Sequence, residues 1–289
     1  MSELTKRILY FLGSALAIIG ILFVAIRLNN YSSQLDLSRL DTFTWSVLIG
    51  LMLIYGLANI MVALAWRNLL VYFGATTSRL WAVKIYGLSQ LAKYIPGNIM
   101  HLASRQAMGQ AVGISGWTLA KASVWDLGLM SITGAFFSIL ILPQFLPIVS
   151  LSIAAISFVG ILLILVLGLN RYMGLAITRA FGWYAVFLMI SSMVFVGVLT
   201  QTMSEGSIQL SLVLLYSGAF VVAWLVGLVT PGAPAGIGVR ELVLVMLLKG
   251  LVPESDLLLA VLLSRIVTVG GDVLFFLMAS FLSYRESRV

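Results

Sequence analysis

Two short stretches of the chain combine a helix break with residue types that bind anions. One contains a Pro-Gly pair at 96–97 and the other a Pro-Gly pair at 231–232, and an arginine, Arg105 or Arg240, follows nine positions after each proline. Proline and glycine end helices. The start of a new helix offers free N–H groups and positive charge to an anion such as a phosphate. The pattern therefore predicts two anion-binding elements built alike.

Polar residues surround the first break. Asn98, His101 and Arg105 are spaced to lie near one face of the helix that follows the break, and Asn98 is the predicted N-cap. His101 fits a hydrogen-bonding residue of the helix face better than a ligand of the substrate. Lys93 either contacts the bound anion or extends to the membrane interface. Arg105, like Arg240, either binds a headgroup or pins the break by bonding to freed carbonyl groups.

The second break carries an acidic residue beside its arginine. Glycines at 232, 236 and 238 permit close backbone approach, and Glu241 directly follows Arg240. Glu241 is predicted to orient Arg240, to cap the helix start or to take a proton during a transport cycle. Charged residues inside a membrane cost about 2.5 to 3.5 kcal/mol each on insertion scales, so such residues usually serve a function.

Two more charged residues stand inside apolar segments and complete the predicted site. Asp126 is expected to have a partner on another helix, and Arg265 lies seven positions before Asp272, which follows two glycines that suggest close helix contact. The predicted substrate-binding residues are Lys93, Asn98, His101, Arg105, Asp126, Arg240, Glu241 and Arg265.

Composition places these residues in a membrane. Of 289 residues, 61% are hydrophobic and only 9% are charged, and the mean hydropathy is +1.11. Soluble domains carry far more charge. Cysteine is absent and His101 is the only histidine, so we expect no metal site and no cofactor. The net charge of +7 fits contact with anionic lipid headgroups and the positive-inside rule equally well.

The apolar segments predict an all-α polytopic membrane protein with about seven or eight transmembrane helices. The two Pro-Gly breaks form re-entrant or broken hairpins. The distribution of lysine and arginine predicts an inner (plasma) membrane protein with both termini in the cytoplasm. The predicted spans are 8–26, 45–65, 117–142, 148–169, 181–201, 210–229 and 257–284, and the shorter apolar segments are 80–95, 99–112 and 239–251.

We expect a single integral membrane domain over 1–289 that consists of two halves related as an inverted repeat. The first half, 1–142, contains the re-entrant element 80–113, and the second half, 148–289, contains the element 211–251. Two alternatives remain open for the second half. Either 239–251 crosses the membrane with help from its flanks, or the last helix is broken at its glycine pair.

Taken together, the two elements resemble the transmembrane region of the lysylphosphatidylglycerol synthase family, over most of the chain. The resemblance implies a helical membrane domain that moves lipids between leaflets, here as a stand-alone member without the soluble synthase domain. The matching residues are Lys93-Tyr94-Ile95-Pro96-Gly97, His101 and Arg105 in the first half, and Thr230-Pro231-Gly232, Gly236-x-Gly238-Val239-Arg240-Glu241 and Arg265 in the second.

The sequence and the resemblance predict a lipid translocase and not an enzyme. Its substrate would be an anionic lipid, either a phospholipid or a polyprenyl-phosphate-linked sugar. Self-association and a glycosyltransferase partner fit this hypothesis, whereas no nucleic-acid partner is expected. The alternatives are an intramembrane glycosyl or lipid transferase, and a membrane scaffold for a glycosyltransferase that transports nothing. The sequence contains no G-x-x-x-x-G-K-[ST] motif for ATP.

Overall fold

A computed structural model describes residues 41–95, 99–203, 212–230, 234–236 and 238–282, and this part of the chain consists of helices without a β-strand. The predicted first span, 8–26, the first Pro-Gly pair and Asn98 lie outside the described residues. The α-helices are α1 (Thr42–Tyr72), α2 (Arg79–Gln90), α3 (Met100–Ala111), α4 (Gly116–Phe136), α5 (Leu142–Phe145), α6 (Leu151–Tyr172), α7 (Leu175–Thr202), α8 (Val213–Val229), α9 (Val239–Leu248) and α10 (Glu254–Phe281).

Within the described residues, five helical segments are long and apolar enough to cross a membrane. They confirm five of the predicted spans as long apolar helices, namely 45–65, 117–142, 148–169, 181–201 and 257–284. The segments are Thr42–Tyr72, Gly116–Phe145, Leu151–Tyr172, Leu175–Thr202 and Glu254–Phe281. The predicted span 210–229 is also helical as α8, but with 17 residues it is shorter.

Side-chain caps explain where several helices begin. Asp41 accepts a hydrogen bond of 2.8 Å from the backbone N–H of Thr44 at the start of α1. Because this N–H stabilises the carboxylate, it lowers the pKa of Asp41. Serine side chains likewise accept a hydrogen bond from a backbone N–H in the first turn of α2, α4 and α6. These serines are Ser78, Ser115 and Ser150.

The last helix, α10, is continuous from Glu254 to Phe281. The alternative in which the glycine pair at 270–271 breaks this helix is therefore wrong. α9 has ten residues, which cover about 15 Å at 1.5 Å per residue, so it is about half as long as the hydrocarbon core is thick.

Helices α1 and α10 lie backbone to backbone at the centre of the bundle. A Cβ atom on Gly271 would stand 2.9 Å from the carbonyl oxygen of Met52 and 3.0 Å from the backbone nitrogen of Gly56. Only a residue without a side chain permits this approach. The close helix contact predicted from the glycines before Asp272 is therefore confirmed, and it fixes the position of Asp272 relative to α1.

The glycine pair of α10 offers a matched test of this packing. Gly271→Ala should lower the free energy of unfolding by about 1 to 3 kcal/mol relative to Gly270→Ala, because the new methyl group meets backbone atoms. A methyl group on Gly270 meets only the flexible side chain of Met52. Both substitutions change helix propensity equally. Thermal unfolding in detergent measures the difference, and equal melting temperatures would contradict the proposed contact.

Candidate functional site

A cavity lies where the two broken elements meet α10. It encloses about 530 Å³ of empty space, counting the part that is open to the surroundings. The first element contributes Lys93 and Tyr94 from a short 3-10 helix after α2, and His101 from α3. The second contributes Ala235 and Arg240. The other lining residues are Tyr55, Trp224, Leu228, Arg265, Thr268 and Asp272. Both sequence elements therefore reach one site.

Asp272 of α10 fixes the first element. Its carboxylate is 1% exposed, lies 2.7 Å from Lys93 Nζ and accepts a 2.5 Å hydrogen bond from the hydroxyl of Tyr94. The side-chain amides of Gln90 and Asn59 donate to its other oxygen at 2.9 and 3.4 Å. A buried carboxylate is stable only with such partners. The charge of Lys93 is therefore balanced by the carboxylate of Asp272, and these contacts attach the end of the first element to α10.

Backbone conformation positions the second element. Ala235, Gly236 and Gly238 have φ values of 49°, 71° and 86°, in the left-handed region that favours glycine. A Cβ atom on Gly236 would stand 2.8 Å from the Cα atom of Gly227 in α8. The chain therefore turns back tightly against α8 before α9 begins, and this turn brings Arg240 to the cavity.

Glu241 caps α9 and holds Arg265. It accepts a 2.6 Å hydrogen bond from the backbone N–H of Gly238 and an ion pair from Arg265 Nε. Arg265 Nη1 also donates to the carbonyl oxygen of Ala235 at 3.3 Å. The predicted capping role is confirmed, whereas the predicted orientation of Arg240 is corrected, because the partner of Glu241 is Arg265. Arg265 thus ties the second element to α10.

Arg240 differs from the other cations of the cavity. Its side chain is 7% exposed, and its guanidinium group lies over the ring of Phe220, 4.4 Å from the ring centre. No residue in the described part of the chain accepts a hydrogen bond from it or forms an ion pair with it. Lys93 and Arg265 each have a carboxylate partner. The described charged residues around the cavity therefore leave one positive charge uncompensated, that of Arg240.

The start of α3 adds unused hydrogen-bonding capacity. His101, in the first turn of α3, lines the cavity, and its Nδ1 atom is buried without a hydrogen-bond partner among the described residues. Among the described residues the N-cap of α3 is Ile99, which provides no side-chain cap, and the N-cap role predicted for Asn98 lies outside the described residues. His101 is therefore a cavity residue, and its Nδ1 atom is available to a bound group.

Arg105 and Asp126, both predicted as substrate-binding residues, form an ion pair with each other outside the cavity. Arg105 is 1% exposed, lies 2.8 Å from Asp126 Oδ2 and does not line the cavity. Its guanidinium group lies 4.2 Å from the ring centre of Tyr86, and the hydroxyl of Tyr184 donates to Asp126. As predicted, Asp126 has its partner on another helix. The pair joins α3 to α4 and thereby positions the helix of the first element.

The charged residues of the cavity are arranged so that they could bind an anion. The carboxylates of Asp272 and Glu241 both form ion pairs, which leaves neither as an obvious general base. The described residues contain no group of three or more His, Cys, Asp and Glu that would hold a metal ion. No protein-family model matches the chain, and no curated protein matches it either. The function is therefore inferred from the residues that line the cavity.

Proposed function

We propose that this protein is a lipid translocase that moves an anionic lipid, a phospholipid or a polyprenyl-phosphate-linked sugar, between membrane leaflets. The observation that carries the proposal is Arg240, a buried cation in a cavity without a counter-ion among the described residues. A buried, uncompensated charge is costly. A phosphate group in the cavity would compensate it, and a guanidinium group suits phosphate because it donates two parallel hydrogen bonds.

The remaining residues of the cavity fit the headgroup of such a lipid. The first element supplies His101, whose Nδ1 atom is buried without a described partner, and the second element supplies Arg240. Trp224 and Leu228 of α8 provide an apolar wall. The headgroup would occupy the polar part of the cavity, while the acyl or prenyl chains remain in the bilayer.

The same proposal includes the finer architecture. Seven or eight transmembrane helices, in two halves related as an inverted repeat with cytoplasmic termini, would place the two breaks at the bilayer midplane. The resemblance to the lysylphosphatidylglycerol synthase transmembrane region belongs to the proposal as well. Transport would consist of movement of one repeat against the other, driven by a gradient or by consumption of the lipid in the far leaflet.

Reconstitution into liposomes tests the proposal. Purified protein should increase the rate at which a fluorescent anionic phospholipid becomes accessible to a membrane-impermeant quencher, relative to protein-free liposomes. The lipid should be recovered chemically unchanged. Recovery of a modified lipid would overturn the proposal in favour of a transferase, and neither transport nor modification, with phospholipid and prenyl-phosphate probes alike, would favour a scaffold.

A further inference from the structure

A second cavity, separate from the first, lies at one end of the bundle between α1, α2 and α7. It encloses about 900 Å³ of empty space, counting its open part, and three arginines line it. They are Arg67 near the end of α1, Arg79 at the start of α2 and Arg179 near the start of α7. The two cavities share no lining residue. We call this second cavity the arginine groove.

The positive charge of the arginine groove is not compensated by the described part of the chain. Arg67 Nε donates a 2.8 Å hydrogen bond to the carbonyl oxygen of Thr77. Arg79 and Arg179 are exposed and form no hydrogen bond or ion pair with a described residue. None of the described residues that line the groove is an aspartate or glutamate. Three guanidinium groups therefore share one space without an anion from the described part of the chain.

Helix stability does not explain this arrangement. Arg79 is the first residue of α2, and Arg179 lies in the second turn of α7. A cation in the first turn, such as Arg79, is unfavourable at the positive N-terminal end of a helix, and the like charges of the three arginines repel one another. The same helix ends and guanidinium groups attract phosphate. The arrangement is thus poor for folding alone and suited to a bound anion.

The shape of the groove indicates which anion. Arg67 and Arg179 lie close to the ends of α1 and α7, two helices long and apolar enough to cross a membrane. Leu64 and Val186 line the groove further along these helices, towards the middle of the bundle. Trp183 lies between the charged and the apolar residues along α7, as tryptophan does at membrane interfaces. This order of groups matches an amphiphile, with a charged head and an apolar chain.

We propose that the arginine groove binds the phosphate group of an anionic lipid headgroup at the membrane interface, with the start of the lipid chain against Leu64 and Val186. The proposal concerns equilibrium binding and does not depend on translocation, because the groove and the central cavity are separate. Arg67 also closes the turn before α2 through Thr77, so Arg79 and Arg179 are the residues whose replacement tests binding alone.

Tryptophan quenching by brominated lipids measures binding in the groove. Purified protein in detergent is titrated with dibrominated phosphatidylglycerol or dibrominated phosphatidylcholine, and the contribution of Trp183 is the difference from a Trp183→Phe variant. The measured quantity is the phosphatidylglycerol concentration that gives half of the maximal quenching of Trp183. We expect this concentration to be about ten-fold higher in the double variant Arg79→Gln/Arg179→Gln than in the wild type. The matched control is Arg171→Gln, an exposed arginine in the last turn of α6 that does not line the groove, and it should behave like the wild type.

Inorganic phosphate then distinguishes the source of the phosphate group. If 10 to 100 mM phosphate leaves quenching by phosphatidylglycerol unchanged at constant ionic strength, the site prefers the lipid, as proposed. If phosphate abolishes quenching, free phosphate occupies the same site, and the lipid assignment is overturned. Equal quenching by both lipids, or unchanged quenching in the double variant, would overturn the site itself. None of these results depends on transport activity, so they are distinguishable from failure of the proposed translocase function.

Discussion

Arg240→Gln is expected to reduce the rate of lipid translocation by about 30- to 160-fold, because a charge-assisted hydrogen bond to a buried group contributes about 2 to 3 kcal/mol. Glutamine is shorter, neutral and able to donate hydrogen bonds, but it cannot balance a phosphate. Within the described residues the wild-type guanidinium has no hydrogen-bond or ion-pair partner to lose, and its contact is the ring of Phe220. The loss of that cation–π contact is offset by the removal of an uncompensated buried charge, so the melting temperature should not fall.

Two further variants sharpen this experiment. Arg240→Lys keeps the charge but loses the planar pair of donors, so we expect an intermediate rate. Lys249→Gln removes an exposed cation just after the other end of α9 and should transport normally. Initial rates of quencher accessibility in liposomes, at equal amounts of reconstituted protein, give the comparison. Wild-type transport by Arg240→Gln would exclude Arg240 as the headgroup ligand.

Asp126→Asn is expected to lower the free energy of unfolding by about 3 to 5 kcal/mol, because it leaves Arg105 buried without a counter-ion. The effect on folding should exceed that of any other single substitution discussed above. Asparagine still accepts the hydrogen bond from Tyr184, so the loss reports chiefly the ion pair. Thermal or denaturant unfolding in detergent, followed by tryptophan fluorescence, measures the change.

The double variant Arg105→Met/Asp126→Asn separates the two roles considered for Arg105. Replacing both members of a buried ion pair by groups of similar volume often restores stability. We expect the double variant to regain most of the stability that Asp126→Asn loses and to retain transport, because Arg105 does not line the cavity. Recovery of stability without transport would instead make Arg105 a residue of the transport site.

Local sequence signals predicted the five long apolar helices and the breaks but not the partners of the charged residues. The Pro-Gly pairs and the apolar segments predicted where helices end, and capping of α9 was one of three roles predicted for Glu241, since these signals act over a few residues. The pairing of Arg105 with Asp126 and of Lys93 with Asp272 joins positions distant in the chain. Side-chain spacing on one helix carries no information about such tertiary contacts, so the sequence pattern grouped Arg105 with Arg240.

One group of site residues was missed although a signal for it existed. Asn59 stands in the middle of an apolar segment, and Gln90 and Tyr94 precede the first break. A polar side chain buried in a membrane segment requires a hydrogen-bonding partner. This requirement points to Asp272, the acceptor that Asn59, Gln90 and Tyr94 share.

Both broken elements are fastened to the same helix. Asp272 holds the first element through Lys93 and Tyr94, and Arg265 holds the second through Glu241 and Ala235. The two side chains stand seven residues apart on α10, about 10 Å along a rigid rod. A rotation of that rod about its own axis would displace the end of the first element and the start of α9 in a single motion, so the two elements would not move independently of each other.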